Sequence, residues 1–300
     1  MSYHSSVFGE VLTAILTPFR PDGAVDLERF GELATFLVDN GSDGLVVAGT
    51  TGESPTLSDA EKLELFAAAV DAVGGRATVV AGTGTYDTAH SVELTRRATE
   101  AGVDGILAVT PYYNKPPQRA IVRHMQEIAA ATDKPVMVYN IPARVIVDIA
   151  PETMDELARI ENVVAVKQAH NDLEEARHIA QNTRLDLYSG DDPITFEFLG
   201  LGGVGVVSVT AHAWGPKTKE MVRRFHEGDV DRARALNDEL APAYDLLRIQ
   251  TNPIPIKAAM NLLGHDLGGY RLPMVEPTED ELAQVRSCLE RAGMLEPATA

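Results

Sequence analysis

The sequence is poor in cysteine and in basic residues, and both shortages exclude classes of protein. It has one cysteine, Cys288, among 300 residues, so no internal disulfide can form and no cysteine-based zinc or iron–sulfur site can be built. The 26 lysines and arginines are outnumbered by 44 aspartates and glutamates, giving a formal net charge of −18. A surface this acidic repels phosphate backbones and disfavours nucleic-acid binding.

Long apolar runs and clustered histidines are also missing. The apolar run in "VFGEVLTAIL" is too short to span a membrane, and no basic segment precedes it. We therefore expect no signal peptide, no membrane anchor and a cytoplasmic protein. The eight histidines are scattered, so we expect no metal site. His170 and His212 lie near predicted strand ends, where we interpret them as supporting or solvated side chains.

Eight short apolar runs recur along the chain, with helix-like segments between them. Such alternation predicts parallel strands joined by helical crossovers. Eight units match a (β/α)8 TIM barrel, whose usual size is about 250 residues. A doubly wound sheet is the alternative, but no G-x-G-x-x-G follows the first strand. The runs are "VLTAILTP", "GLVVAG", "ATVVAG", "GILAVT", "PVMVYN", "VVAVK", "LDLYSG" and "GVGVVSV".

Helix signals support this division of the chain. In "LSDAEKLELFAAAVDAV", Ser58 and Glu61 have the spacing of a capping box, and Gly74 follows where the helix should end. Strand patterns end before about Asp229. We predict a catalytic barrel over residues 1–228 and a helical region over 229–300 that packs on it. Cys288 falls in the last helical pattern and is interpreted as a packing residue.

Lys167 ends the apolar run "NVVAVK", which predicts a buried strand over residues 162–166. The ordinary interpretation is a lysine just past a strand end, with its stem packed and its ammonium in water. The alternative is a desolvated lysine that attacks a carbonyl to form a Schiff base. The choice depends on which residues lie beside it.

In a barrel the carboxyl ends of the strands meet at one rim, where active sites lie. The segments expected there carry hydroxyls, tyrosines and one arginine. "GTTGE" is either a tight turn or an anion-binding nest, and it lacks the lysine of a phosphate-binding loop. The tyrosines can pack or relay protons, and Arg144 can pair on the surface or clamp a carboxylate. Asp191 and Asp192 look like paired acids but are better explained as N-caps of the next helix.

These segments resemble the dihydrodipicolinate synthase and N-acetylneuraminate lyase superfamily of Schiff-base aldolases. The resemblance covers essentially the whole chain, with the motifs in the order and spacing of the family. It implies a (β/α)8 barrel with a C-terminal helical region, usually a homotetramer built as a dimer of dimers. The motifs are "GTTGES", "TPYYNKP", "YNIPAR", "AVKQA", "SGDD", "GVVSVTA" and "NPIPIKAA".

The resemblance also implies a reaction that needs no cofactor. Lys167 would form an imine with the ketone of pyruvate, and loss of a methyl proton would give an enamine that attacks an aldehyde. Tyr139 matches the tyrosine that shuttles protons at the imine. Thr50 and Tyr113 match its relay partners, and Tyr113 is expected to come from the neighbouring subunit.

Four further positions match residues that bind substrate in the family. Thr51 matches the anchor for the carboxylate of pyruvate, and Arg144 matches the residue that holds the carboxylate of the aldehyde. Gly190 and Val207 match positions that line the site through their backbone. The two threonines of "GTTGE", together with "YNIPAR" and "NPIP", favour the synthase branch, in which L-aspartate 4-semialdehyde is the aldehyde in diaminopimelate and lysine biosynthesis.

The sequence departs from the family pattern beside the expected site and at the family's lysine-inhibition site. In the family, the lysine at the position of Lys167 is usually followed by Glu-Ala-Ser/Thr-Gly, whereas here it is followed by Gln168-Ala169-His170-Asn171. The arginine at the position of Arg144 is usually followed by Thr-Gly, whereas here it is followed by Val145-Ile146. At the inhibition site only Ser54 and Tyr112 fit and four other residues depart, so we expect weak or absent inhibition by lysine. The residues that depart there are Asp59, Lys62, Tyr86 and His90.

Two other functions stay open on the sequence. One is a different pyruvate-dependent lyase of the superfamily, acting on a sugar acid or a 2-oxo acid, and Arg144 is the residue that discriminates it. The other is a non-catalytic protein that binds 2-oxo acids. That second function would require a broken proton relay, whereas Lys167, Tyr139, Thr50 and Tyr113 are all present.

Overall fold

The computed structural model describes residues 6–296, and within them eight strands close into a barrel. Each strand pairs in parallel with the next along the chain, and β8 returns to pair with β1. The predicted (β/α)8 TIM barrel is confirmed. The strands are β1 Val11–Ala14, β2 Gly44–Val47, β3 Thr78–Gly82, β4 Gly105–Val109, β5 Val136–Asn140, β6 Val163–Gln168, β7 Asp186–Ser189 and β8 Gly205–Ser208.

Helices connect the strands and continue beyond the last one. Among residues 6–296, no helix combines the length and the apolar character needed to cross a membrane. The helices are α1 Leu27–Asp39, α2 Asp59–Val73, α3 Thr88–Glu100, α4 Gln118–Ala129, α5 Pro142–Val145, α6 Pro151–Leu157, α7 Leu173–Asn182, α8 Thr195–Leu201, α9 Ala211–His226, α10 Val230–Glu239, α11 Ala241–Leu246, α12 Ile254–Leu262 and α13 Glu279–Arg291.

The start and end of α2 follow the signals in its sequence. The Ser58 hydroxyl accepts from the Glu61 N–H, and the Glu61 carboxylate accepts from the Ser58 N–H at 2.8 Å. This capping box satisfies backbone donors that have no partner within the helix. Gly74 ends the helix with φ +51°, a conformation that glycine adopts without strain. The capping prediction is confirmed at both ends.

Strand residues alternate between two apolar layers, and this alternation aims the side chains of β6. Val166 packs outward in the layer between strands and helices. The alternation is interrupted earlier in β6, where the register with β5 shifts between Val163 and Ala165. Ala165 packs inward with Leu12, Val46 and other residues that fill the barrel. Lys167 follows Ala165 by two residues, so it points to the same inner face. The barrel core therefore lies directly beneath this lysine.

The segment after β8 is helical, as expected. Cys288 in α13 is 5% exposed and packs in the outer apolar layer, which confirms its interpretation as a packing residue. The α12 and α13 helices pack against each other, and α12 also contacts α9 of the barrel. The division of the chain after residue 228 stays a prediction.

Asp191 and Asp192 do not cap a helix with their side chains, so that prediction is wrong. The turn after β7 enters a short 3-10 helix, and its N-cap residue, Asp191, makes no side-chain capping bond. The buried Asp192 carboxylate instead accepts from the hydroxyls of Ser208 and Thr210 and from the Val209 N–H at 2.9 Å. These bonds tie the end of β7 to the end of β8. The sequence "SGDDP" could not indicate hydrogen-bond donors at the end of a strand 16 residues away.

His212 is 1% exposed. Of the two interpretations left open by the sequence, it is therefore a supporting residue and not a solvated one. Its Nδ1 bonds the Val209 carbonyl at 2.8 Å, and its Nε2 lies 3.1 Å from the Leu16 N–H. Because Nε2 must accept, the ring is neutral with its proton on Nδ1. Burial lowers the pKa of His212 from 6.5 to about 4. The ring joins the end of β1 to the start of α9.

We expect His212 to make the fold sensitive to acid. A histidine with a lowered pKa in the folded state takes up its proton first in the unfolded chain, so stability falls as pH falls from 6.5 to about 4. A shift of this size corresponds to roughly 3 kcal/mol of unfolding free energy. Urea unfolding of wild type and His212→Gln between pH 7 and pH 4 measures it. The stability gap between the two proteins should narrow by about that amount, and parallel curves would contradict the assignment.

Candidate active site

Lys167 and Tyr139 lie side by side at the mouth of the barrel. Lys167 is paired with Tyr139 in the register of β5 and β6, and the two residues are 5% and 4% exposed. The Lys167 Nζ lies 4.2 Å from the centroid of the Tyr139 ring, within the range of a cation–π contact. The strand continues to Gln168, so the lysine lies within a strand and not just after it. This burial disfavours the interpretation of a solvated lysine.

Two adjoining cavities open at this rim. The first, of about 310 Å³, is lined by Lys167, Tyr139 and Gly190 among others. The second, of about 250 Å³, runs from Tyr139 towards Tyr112 and Ser54. Thr50, Tyr139, Ile141 and Arg144 line both. A small carboxylic acid fits the first cavity, whose lining combines many polar side chains with apolar ones. Ligand sites are usually concave spaces of this kind.

The "GTTGE" segment forms a short tight loop at the end of β2. Ala48 and Glu53 adopt positive φ angles of 53° and 55°, and the Glu53 N–H bonds the Thr50 carbonyl at 3.1 Å. The Thr51 side chain is buried, and its hydroxyl accepts from the Asn252 Nδ2 at 2.9 Å. An oxygen that accepts in this way has its own proton available to donate. The loop therefore offers a fixed hydroxyl donor at the edge of the first cavity.

Arg144 lies on α5, the short helix after β5. Its Nη2 donates to the Asn252 carbonyl at 3.3 Å and to the Thr251 hydroxyl at 3.4 Å. Both bonds are long, and the guanidinium keeps other donors for a carboxylate. Together with Gln250, these residues close one side of the first cavity. The segment between α11 and α12 thus holds Arg144 on one side and Thr51 on the other.

Gly190 and Val207 have different relations to the cavities. Gly190 lines the first cavity, and its N–H bonds the Gln168 carbonyl at 2.8 Å. A Cβ at this position would lie 3.0 Å from the Lys167 Cγ, so a side chain would press on the lysine. Val207 is fully buried in the barrel core and lines neither cavity. The structure brings Gly190 to the site but places Val207 beneath it.

Tyr113 does not line the cavities of its own chain. It is 90% exposed, with φ +73°, and it follows Tyr112, whose ring meets Tyr86 edge to face with centroids 5.3 Å apart. Asn114 steadies this turn by donating to the Tyr86 carbonyl at 3.0 Å. Tyr113 is therefore available to a second chain, and the contribution expected from a neighbouring subunit stays a prediction.

The residues that depart from the family's lysine-inhibition site contact one another. His90 Nε2 lies 2.8 Å from the Asp59 carboxylate, and the Lys62 Nζ lies 3.8 Å from it. Lys62 is buried, and burial lowers its pKa. These side chains engage one another at the position where the family's inhibition site lies, and they differ from it in charge and shape. Weak or absent lysine inhibition stays a prediction with this physical basis.

A buried ion pair beneath the "GTTGE" loop was not predicted from the sequence. The Lys257 ammonium is 3.0 Å from the Glu53 carboxylate and 2.9 Å from the Thr17 carbonyl. The second carboxylate oxygen accepts from the Arg271 N–H at 3.1 Å. Both charged side chains are at most 1% exposed. The pair joins the loop of Thr50 and Thr51 to α12.

One signal for this pair was present in the sequence. A lysine within the apolar run "IPIKAAM" has to find a partner if the run is buried. Asn252, in contrast, had no local signal, because its bond to Thr51 joins residues 201 positions apart. Both residues lie in "NPIPIKAA", a motif that the sequence singled out without assigning a role to either side chain.

The fold and the rim together define a (β/α)8-barrel enzyme with a buried lysine and tyrosine in its cavity. The model of the dihydrodipicolinate synthetase family matches residues 7–292. The chain belongs to this family, and it is a lyase.

Individual relatives agree over nearly their full length. The 4-hydroxy-tetrahydrodipicolinate synthase of Heliobacterium modesticaldum is 47% identical over 289 residues, covering 96% of each chain. That of Moorella thermoacetica is 48% identical and covers 96% of this chain and 99% of its own. The crystal structure of the Cyanidioschyzon merolae synthase with lysine bound has a TM-score of 0.94 and 42% identity, covering 96% of this chain and 99% of its own.

Proposed function

We propose that the chain is a Schiff-base lyase that condenses pyruvate with L-aspartate 4-semialdehyde to 4-hydroxy-tetrahydrodipicolinate, in the cytoplasmic synthesis of diaminopimelate and lysine. The observation that carries the proposal is the buried Lys167 beside Tyr139 at the barrel mouth. Relatives 46–48% identical bear the name of this synthase. No cofactor is required, because the imine supplies the electron sink.

Imine formation begins with the amine of Lys167. It attacks the ketone carbon of pyruvate, and loss of water leaves a protonated imine. Tyr139 contacts the lysine and is the group we assign to move protons to and from the departing oxygen. Thr50 lines the same cavity and is assigned to the relay with Tyr139. The buried position of the pair excludes bulk water from these proton transfers.

The carboxylate of pyruvate is assigned to the Thr51 hydroxyl, which Asn252 holds in place. Gly190 gives the substrate room beside the lysine stem, because a side chain there would meet the Lys167 Cγ. For Val207 only a supporting role beneath the imine is proposed, since it lines neither cavity. These contacts hold the pyruvate methyl towards the open side of the cavity.

Carbon–carbon bond formation follows on that open side. The imine withdraws electrons from the pyruvate methyl, which loses a proton to give the enamine. The enamine carbon attacks the aldehyde carbon, and the aldehyde oxygen takes up a proton. The amino group of the semialdehyde then attacks the imine carbon, which closes the ring and releases Lys167. Arg144 is assigned to the carboxylate of the semialdehyde, because its guanidinium borders both cavities.

Tyr113 requires a second chain in this proposal. It is 90% exposed on its own chain, and Tyr86, whose ring meets that of the adjacent Tyr112, is 55% exposed. Large exposed aromatic side chains are enriched at interfaces between chains. We propose that Tyr113 completes the relay of Thr50 and Tyr139 in a neighbouring subunit, within a homotetramer built as a dimer of dimers.

The second substrate is tested with Arg144→Ala. We expect wild type to consume pyruvate and L-aspartate 4-semialdehyde together. The variant should lose about 10- to 100-fold in kcat/KM for the semialdehyde, because a charged hydrogen bond is lost. Trapping of pyruvate by borohydride should be unchanged in the variant. The matched control is Arg123→Ala, an exposed arginine paired with Glu127 on α4.

Other outcomes assign a different reaction. A wild-type protein that forms the pyruvate imine but leaves the semialdehyde unused would establish another pyruvate-dependent lyase. An Arg144→Ala variant with full activity would remove Arg144 from substrate recognition. Absence of any pyruvate adduct would favour a non-catalytic binding protein.

A further inference from the structure

A cluster of one histidine and two carboxylates lies outside the active site. His170 follows β6, Glu175 lies in the first turn of α7, and Asp148 lies between α5 and α6. The ligand-type atoms of the three side chains all lie within 4.8 Å of one another. Each side chain is partly exposed, between 20% and 36%. Neither cavity of the active site includes any of them.

The spacing of these atoms suits a small divalent metal ion. His170 Nδ1 lies 2.8 Å from the Glu175 carboxylate and 3.5 Å from that of Asp148. Zinc binds nitrogen and oxygen at about 2.0–2.2 Å, so neighbouring ligand atoms around it lie about 3.0–3.5 Å apart. These two separations bracket this range, and the ligand atoms of Asp148 and Glu175 lie within 4.8 Å of each other. Only small side-chain shifts are needed to admit the ion.

The carboxylates are also held from behind by amide groups. Asn140 Nδ2 donates to Asp148 Oδ1 at 2.6 Å, and Gln168 Nε2 donates to Glu175 Oε2 at 3.1 Å. Asn140 also bonds Gln168 at 3.1 Å, so the two supports form one unit. Metal ligands are oriented in this way in known sites, where such partners raise affinity.

The charge of the cluster favours a divalent cation. When both are ionised, the two carboxylates place two negative charges at close range, and Asp172 at the N-cap of α7 adds to the negative potential at His170. Burial and the neighbouring Asp148 accordingly raise the pKa of Glu175. A protonated His170 would balance only one of these charges. A divalent ion balances both carboxylates and leaves the imidazole neutral as a ligand.

We propose that Asp148, His170 and Glu175 bind one divalent transition-metal ion of the zinc type, with water completing its coordination on the exposed side. The mixed nitrogen and oxygen ligands favour zinc, cobalt or nickel over magnesium and calcium, which take oxygen ligands. The site takes no part in the chemistry of Lys167. Its supports, Asn140 and Gln168, immediately follow Tyr139 and Lys167 in β5 and β6, so the ion would stiffen the strand ends that carry those two residues.

The sequence did not predict this site, because its three residues are separated along the chain and have no ligand spacing. Gln168 and His170 lie in the segment after Lys167 that departs from the family pattern. The site is thus built partly from the positions at which this chain differs. The prediction of no metal followed from local motifs only, and the fold brings together what those motifs cannot show.

Metal titration of the chelator-stripped full-length protein tests the proposal. We expect calorimetry with Zn²⁺ to give one site per chain. Addition of Co²⁺ should give the absorption spectrum of an ion bound by imidazole and carboxylate ligands. His170→Asn should abolish both signals. Gln168→Ala should weaken Zn²⁺ binding by about 10- to 100-fold, as expected for loss of a partner that orients a ligand. Zn²⁺ should raise the thermal midpoint of wild type but not of His170→Asn.

The matched control is His178→Asn. His178 lies on α7, the helix that also carries Glu175, and its Nε2 is 2.9 Å from the Asp155 carboxylate. It belongs to no three-residue cluster of this kind among the described residues. This variant should bind Zn²⁺ as wild type does. Absence of a stoichiometric site in wild type, or equal binding by wild type and His170→Asn, would overturn the proposal. Pyruvate trapping in all variants reports separately on the proposed function.

Discussion

Replacement of Lys167 by alanine is expected to lower kcat/KM by at least about 10⁴-fold, since it removes the group that forms the covalent bond. Incubation of wild type with pyruvate and borohydride should reduce the imine and fix it on Lys167, where mass spectrometry of the digested protein locates it. The variant should give no adduct. Its fold should be retained, because Lys167 contacts the Tyr139 ring and makes no ion pair within 4 Å among the described residues.

A second substitution separates the nucleophile from its charge. Lys167→Arg keeps a cation next to the Tyr139 ring but cannot form the imine, because guanidinium stays protonated. It should be as inactive as the alanine variant. Lys217→Ala, which removes a lysine paired with Glu239 on the outer helices, should keep full activity and full trapping. An adduct on another lysine in the Lys167 variants would contradict the assignment and return Lys167 to a packing role.

The barrel could be predicted because its signals are local. Each apolar run and each amphipathic segment reports its own burial, and eight repetitions leave few alternative architectures. Lys167 shows the limit of this reasoning. Its charge ended the apolar run, so the strand was expected to stop at Val166, whereas the pairing of β6 with β5 and β7 continues to Gln168. Backbone pairing, which the side-chain pattern does not show, decides where the strand ends.

Contacts between distant segments could not be predicted in the same way. Asp192 was interpreted from its neighbours in the turn, but its acceptors are satisfied by β8. His170 was seen as a single histidine near the rim, and its carboxylate partners come from α7 and from the segment before α6. Tyr113 illustrates a third limit, because the role proposed for it in a neighbouring subunit lies outside what a single chain can show. Resemblance to a family supplied the roles at the rim, while the supporting layer had to be read from the structure.

Replacement of Lys257 by methionine is expected to lower the unfolding free energy by about 3–5 kcal/mol, the usual cost of breaking a buried ion pair by removing one partner. The variant leaves the Glu53 carboxylate buried with the Arg271 N–H as a remaining donor. It also removes the contact of the ammonium with the Phe19 ring, whose centroid is 4.3 Å from Nζ. Urea unfolding at pH 7 measures the change.

The loss should reach the active site, because Glu53 ends the loop that carries Thr50 and Thr51. We expect KM for pyruvate to rise in Lys257→Met while trapping at Lys167 still occurs. Lys219→Met is the matched control. The Lys219 ammonium lies 2.8 Å from the Glu10 carboxylate and 2.6 Å from the Asp43 carboxylate, in a partly exposed cluster. Glu10 and Asp43 directly precede β1 and β2, so this cluster lies at the end of the barrel opposite the active site. Lys219→Met should cost less stability and leave KM for pyruvate unchanged.

A double variant separates the missing charge from the missing packing. Glu53→Gln keeps an acceptor for the Arg271 N–H and removes the carboxylate charge, so Lys257→Met combined with Glu53→Gln has no uncompensated buried ion. It should be more stable than Lys257→Met alone by about 2 kcal/mol, the cost of a buried group left without its partner. If the loss of unfolding free energy in the double variant equals the sum of the losses in the two single variants, the ion pair contributes no coupling energy. In that case the loop of Thr50 and Thr51 is held by Asn252 and by packing, and KM for pyruvate should respond to Asn252→Ala instead.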